Sequence, residues 1–359
     1  MGRYIVGNGS DTWNLADAYA AVADGDIIEF ERDFSFNLSG DSWTIDKNIT
    51  LCGYVEMNEN GGRMLFSSFF GRIVIAENAD VTIENICLYS IKEGSAVVVQ
   101  KNGKLTLAGS IIGSKVVDNN YVLIWNNGGQ LDIDNITLTL EGASKDISVE
   151  NNGVLNIRNS NDLYRVSCKD SELNIKNSRI ICHTGNGISS RRSKVEIVDS
   201  YIEGSPADVE KRYPVFWGGN SRIVIRNSRI IQPVYTAAIS LCDNSSLELE
   251  NSLVSNMEMS ESRAKLRDNT ITDIISVENC SLFVSEGELD IKGENPDKVD
   301  IYVTNTSVFS AENVILSREC SPNIKVLRNT LVRIKELDAV NVDKKDVKFD
   351  VDDSSEVID

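Results

Sequence analysis

Asp132 and Asp134 stand two residues apart in "QLDID", and Arg158 and Lys176 close the similar phrases "VLNIR" and "ELNIK". Residues two apart on a strand share a face, and strands stacked in parallel lie about 4.8 Å from one another. Two carboxylates so placed begin an oxygen ligand set for a hard cation such as Ca²⁺, and a neighbouring cationic side chain is a candidate proton acceptor. The same four residues also read as a solvated ladder of opposite charges on neighbouring strands. A second basic group, Arg191 and Arg192 with Lys211 and Arg212 one coil later, suits either a salt bridge at a turn or the carboxylates of an acidic sugar or peptide.

Other chemistry has little to start from. The only histidine is His183, and the seven cysteines, Cys52, Cys87, Cys168, Cys182, Cys242, Cys280 and Cys320, include no CxxC pair. Structural zinc is therefore not expected, and the thiols read as small buried hydrophobes in a reducing compartment. The excess of 54 Asp+Glu over 36 Lys+Arg gives a net charge of −18, which repels nucleic acid and anionic membranes. No signal-peptide pattern opens the chain and no apolar run is long enough to span a membrane, so the cytoplasm is expected, or secretion if a leader has been trimmed.

What must position these residues is a repeat. "DSELNIKNSRII" at 170–181 recurs as "NSRIVIRNSRII" at 220–231. Taking the first apolar residue of each LxI as an anchor gives Val81, Leu105, Leu131, Leu155, Leu173, Val195, Ile223 and Leu247, spaced by about 24 residues on average. Another apolar residue follows two later in every case, and one follows seven later except at Asp162, where a slip of one brings in Leu163. A further alternating strand precedes each anchor, as in Ile73 with Ile75, Val97 with Val99, Leu123 with Trp125 and Val215 with Trp217.

Turns are in register as well. Four after the anchors come Asn85, Gly109, Asn135, Asn159, Asn177, Asp199, Asn227 and Asn251, residues that tolerate left-handed backbone angles and whose stacked amides can bond from coil to coil. Three before the anchors the theme repeats with Asn78, Asn102, Gly128, Asn152, Asp170, Arg192, Asn220 and Asn244. Three strands and three turns in so short a unit cannot fold alone, but stacked coils bury one continuous apolar column.

The expected fold is all-β, a parallel β-helix of roughly a dozen coils. Residues 1–25 supply a strand and a short capping helix, with Leu15, Tyr19 and Val22 on one face and Gly25 as its stop. The β-helix spans 26–345, and 346–359 is an acidic tail or linker, with a closing strand as the other reading. The stretch 256–273 interrupts the coils as a solvated loop, a helical excursion or a lid.

The helix at 14–25, then "DGDIIEF", then coils with Asn at their corners resembles the pectate-lyase-like superfamily over about residues 14–345. That resemblance implies a right-handed parallel β-helix. Enzymes of this kind place acids, bases and calcium ligands on outward positions of one parallel sheet, which would make Asp132 and Asp134 the Ca²⁺ ligands and Arg158 or Lys176 the base of a lyase acting on a uronate polymer. The related polygalacturonases carry "NTD", "DD", "GHG" and "RIK"; only Arg333-Ile334-Lys335 and the tail pair Asp352-Asp353 occur here, and His183 in "CHTGNGIS" does not match. The lyase set is also short of carboxylates.

An outward apolar column, Val74, Val98, Ile124 and Phe216, is expected to be covered by the chain's own loops, a second copy or a partner. The reading favoured by the sequence is therefore a non-catalytic binding or scaffolding module without cofactor, taking a protein partner or a copy of itself, or an acidic carbohydrate, with the Ca²⁺-dependent lyase as the alternative.

Overall fold

The computed structural model describes residues 1–116, 122–138, 146–161, 163–182, 185–204, 213–233, 236–292, 299–317, 323–340 and 347–358. They form two compact units, Met1–Asn174 and Ile175–Asp359. In each, parallel strands stack rung on rung into a right-handed β-helix. Among the described residues, the single antiparallel pairing is a hairpin of Val55–Met57 with Arg63–Leu65.

In the first unit, helix Leu15–Ala21 opens at Asn14, whose side chain accepts from the Asp17 amide, and it buries Leu15 and Ala18. It stops just before Gly25, whose φ of 85° a side chain would resist. Anchor strands follow at Asp80–Glu84, Lys104–Ala108, Gln130–Asp134 and Val154–Arg158, and Val81, Leu105, Leu131 and Leu155 lie directly over one another. Each anchor and its partner two residues on is essentially inaccessible. Complete burial of such a side chain contributes about 1.5–3 kcal/mol, so the column supplies most of what holds the rungs together.

The second unit continues the scheme further than its sequence suggested. Val195, Ile223 and Leu247 are followed in register by Ala264, Phe283, Phe309, Val332 and Val357. Residues 256–273 are accordingly neither loop, helix nor lid. They form strands Met257–Ser260 and Arg263–Ile271, with Met257, Met259, Ala264 and Leu266 pointing inward. The C-terminal segment carries closing strands, the other reading of 346–359: Lys348–Val351 pairs with Asn323–Leu327, and Glu356–Ile358 pairs with Leu331–Val340.

Both predicted corner columns take the left-handed conformation, from Asn85 (φ 59°) to Asn251 (φ 47°) and from Asn78 (φ 63°) to Asn244 (φ 64°). Arg192 does so too, at φ 50°. Left-handed angles cost most residues roughly 1–2 kcal/mol, which is why short Asn and Asp side chains dominate there.

A buried serine follows the corner in many rungs. Ser200, Ser228 and Ser252 each donate to the carbonyl two residues back, at 2.7, 2.7 and 2.8 Å. Each also accepts from the previous rung: Ser178 N–H to Ser200 Oγ at 3.2 Å, Ser200 N–H to Ser228 Oγ and Ser228 N–H to Ser252 Oγ at 3.1 Å. Corner amides that strand pairing leaves over are thereby satisfied inside the solenoid.

Candidate functional site

The anchor strands of the first unit present Thr82, Thr106, Asp132 and Asn156 in one outward column, with Asp134 directly beside Arg158 on the next rung. The carboxylates are engaged. Asp132 accepts from Gln130 Nε2 at 2.7 Å and from Asn156 Nδ2 at 2.6 Å, one bond to each oxygen, and Asn156 Oδ1 accepts in turn from Asn174 Nδ2 at 2.8 Å. Asp134 Oδ1 accepts from Asn159 Nδ2 at 2.9 Å. Asp132, Asp134 and Arg158 thus share one face of the first unit, whereas Lys176 belongs to the second.

The corresponding strands of the second unit carry an ion-pair chain instead. Arg226 bridges Glu196 at 2.9 Å and Glu250 at 3.4 Å; Arg267 bridges Glu250 at 3.8 Å and Glu286 at 3.2 Å; Lys265 reaches Glu286 at 2.7 Å. A recess of about 270 Å³ lies among Arg226, Glu248, Glu250, Lys265 and Arg267. Hydrogen bonds from Lys265 and Arg267 hold the Glu286 carboxyl below its ordinary value. A carboxylate depressed in the fold adds stability above its unfolded pKa and loses it as pH falls through the folded one. We therefore expect Glu286→Gln to flatten the acid side of the melting temperature plotted against pH between about pH 5 and 3, while exposure and salt keep the effect at neutral pH small. Thermal scans across that range would check it, and an unchanged acid limb would refute it.

Of the basic cluster, Arg191 and Arg192 are exposed; Lys211 and Arg212 lie outside the described residues, as do His183 and Cys320. Arg333 and Lys335 are solvent-facing residues of an ordinary anchor strand whose Ile334 is buried. Among the described residues, no group of three or more His, Cys, Asp or Glu is arranged to hold a metal ion, and no helix is long and apolar enough to cross a membrane. Cys52, Cys87, Cys168, Cys182, Cys242 and Cys280 form no disulfide among the described residues. Burial pushes up the thiols of Cys52 and Cys87, and burial with Asp243 alongside takes that of Cys242 up to about 11.

The apolar column needs correction. Val74 and Val98 are outward and half-buried, but Ile124 and Phe216 are inward and fully inaccessible. Val98 pairs with Trp125, and Trp217 sits between Ser189 and Ser240. In "LIW" and "VFW" three consecutive apolar residues leave the facing parity open, and the chain turns the smaller side chain in and the indole out. The outward column is therefore Thr44, Val74, Val98, Trp125 and Ser148 in the first unit and Ser189, Trp217, Ser240 and Glu258 in the second. Sequence reasoning also passed over the serine ladder, although the Ser after each corner Asn in "KNSRII" and "RNSRII" was its signal.

No family model matches the sequence, and no curated protein does. Solved structures with a similar course include tailspike protein 2 of Escherichia coli O157:H7 bacteriophage CAB120, at 9 % identity and a TM-score of 0.37, covering 77 % of this chain and 39 % of that one. This chain thus spans about two fifths of the tailspike's length. The pectate lyase Pel9A gives 11 % identity and a TM-score of 0.35 over 84 % of this chain and 79 % of its own. A GH136 lacto-N-biosidase from Eubacterium ramulus gives 11 % and 0.33 over 99 % and 68 %. The chain itself is a right-handed parallel β-helix.

Proposed function

We propose that this chain is a non-catalytic binding or scaffolding module of a reducing, cytoplasmic compartment, presenting its outward strand faces to a protein partner, a second copy or an acidic carbohydrate. The observation that carries this reading is the engagement of Asp132: both carboxylate oxygens accept amide hydrogens, and the neighbouring Asn156 passes the bonding on to Asn174. Side chains so joined behave as a rung-to-rung clamp, and a calcium ion would have to displace those amides. The half-buried strip Val74, Val98 and Trp125 supports a protein contact, because apolar side chains on an outward face gain from cover.

The alternative keeps Asp132 and Asp134 as Ca²⁺ ligands with Arg158 or Lys176 as the base of a uronate lyase. It is favoured by one feature, the side-by-side placement of Asp134 and Arg158. A calcium-dependent lyase assay on a panel of uronate polymers, read as absorbance of the new double bond, separates the two. We expect no turnover above background, with or without Asp134→Ala. Turnover that requires calcium and disappears in that variant would make the chain an enzyme.

A further inference from the structure

Trp217 is held in an unusual posture for an outward tryptophan. Its strand continues into Gly218 and Gly219, and a Cβ built on Gly219 would come within 2.7, 3.0 and 3.4 Å of three consecutive atoms at the edge of the benzo ring. The indole therefore leans along its own strand and covers Gly219. Cys242 pairs with Gly219 from the following rung. A ring that covers Gly219 lies along its strand, and at intermediate burial it keeps part of its surface toward solvent.

Among the described residues, the surroundings of the ring are polar. Ser189 and Ser240 flank Trp217 in the same column, one on each neighbouring rung. Among the described residues neither hydroxyl forms a hydrogen bond. Arg191 pairs in register with Gly219 on the side away from Cys242, is exposed, and makes no ion pair among the described residues. Carboxylates bound the patch on the other side: Asp243 follows Cys242, and Glu258 follows Ser240 in the column. The usable span from Ser189 to Ser240 is two rung steps, about 10 Å.

We propose that Trp217, Arg191, Ser189 and Ser240 form a shelf for a short acidic glycan, one or two pyranose residues carrying a carboxylate. A flat, rigid indole face offers apolar contact to the C–H face of a sugar ring. Two free hydroxyls at either side match the ring's own hydroxyls, and the guanidinium takes the carboxylate in a fork geometry. The carboxylate is oriented toward Arg191 because the Cys242 side of the patch is acidic. The short span and the closing Glu258 set the ligand as a chain end or a disaccharide rather than a long polymer. An acidic peptide would use Arg191 equally well but has no flat C–H face to lay on the indole. This inference names a ligand class for the binding module proposed above and rests on that reading.

The test is calorimetric titration of the full chain, in EDTA, with a glucuronate-terminated disaccharide, the matching glucose-terminated disaccharide and a Glu-rich heptapeptide. Alongside it, the Trp217 indole N–H resonance is followed in the unaltered protein, where no substitution can disturb folding. Expected are saturable binding of the acidic disaccharide with a shift of that resonance, and weaker binding of the uncharged one. Trp217→Ala should weaken both at least tenfold. Gly219→Ala should do the same with the tryptophan still present, by pushing the ring off the sheet, and Arg191→Gln should remove the preference for the acidic disaccharide. Absence of binding, an unmoved resonance, or equal binding of the peptide would overturn the shelf. None of those results would touch the non-catalytic reading, which falls instead if the disaccharide or a uronate polymer is cleaved.

Discussion

Replacing Phe216 by Asp should unfold the second unit, whereas replacing the adjacent Trp217 by Asp should leave it folded. Phe216 is completely inaccessible and stacks in register over Ile239 on the next rung, with Ile188 on the rung before. Truncating a buried Phe to Ala costs about 3–5 kcal/mol, a large share of the roughly 5–15 kcal/mol that holds a domain together. A carboxylate in that place adds the penalty of an unpaired buried charge. In a solenoid each rung depends on its neighbours, so the damage spreads along the unit. Trp217 gives up only a half-buried outward ring, a loss the fold tolerates. The same contrast holds for Ile124→Asp against Trp125→Asp in the first unit. Urea midpoints by circular dichroism would decide, and the opposite ranking within either pair would mean that the assigned facing of these strands is wrong.

That pair of positions marks where the sequence was legible and where it was not. The corners could be read because a left-handed backbone restricts residue choice so severely that Asn, Asp and Gly repeat through Asn85, Asn135, Asn177 and Asn227. Anchor strands could be read because strict alternation leaves one possible inward set. "LIW" and "VFW" could not, since every residue in them is apolar and either parity buries something. Residues 256–273 were opaque for a different reason: Ala264 is a small anchor, and the outward Lys265, Arg267 and Glu258 give the stretch a charged look that hides Met257, Met259 and Leu266 inside. At the candidate site the residue types of Asp132 and Asp134 were visible, but not their partners. Whether a carboxylate waits for a metal or is already bonded depends on which amide the next rung places beside it, and here that amide is Asn156 or Asn159. The serines were hidden in plain view, because a small polar residue in a turn carries no mark of burial until the stacking of rungs encloses it.

Ser228→Ala should then cost more than any surface serine substitution in the chain. Ser228 is 2 % exposed; its hydroxyl donates to the Arg226 carbonyl and accepts the Ser200 amide. Alanine fits the space, so no clash or large cavity enters the comparison. What changes is that the Ser200 N–H is left buried without an acceptor, and an orphaned buried polar group of this kind costs about 1–3 kcal/mol. Ser252→Ala does the same to the Ser228 amide, and Ser246→Ala, on a half-buried outward position, serves as the control and should stay within about 0.5 kcal/mol. Each serine in the ladder is both donor and acceptor, so bonds along it polarise one another and the Ser228/Ser252 double variant should differ from the sum of the singles. Denaturant titrations of the four proteins give the cycle, and amide exchange at Ser200 gives a local check. A protected Ser200 amide in Ser228→Ala would show that another acceptor can replace the hydroxyl, and the ladder would then be a consequence of the fold rather than one of its supports.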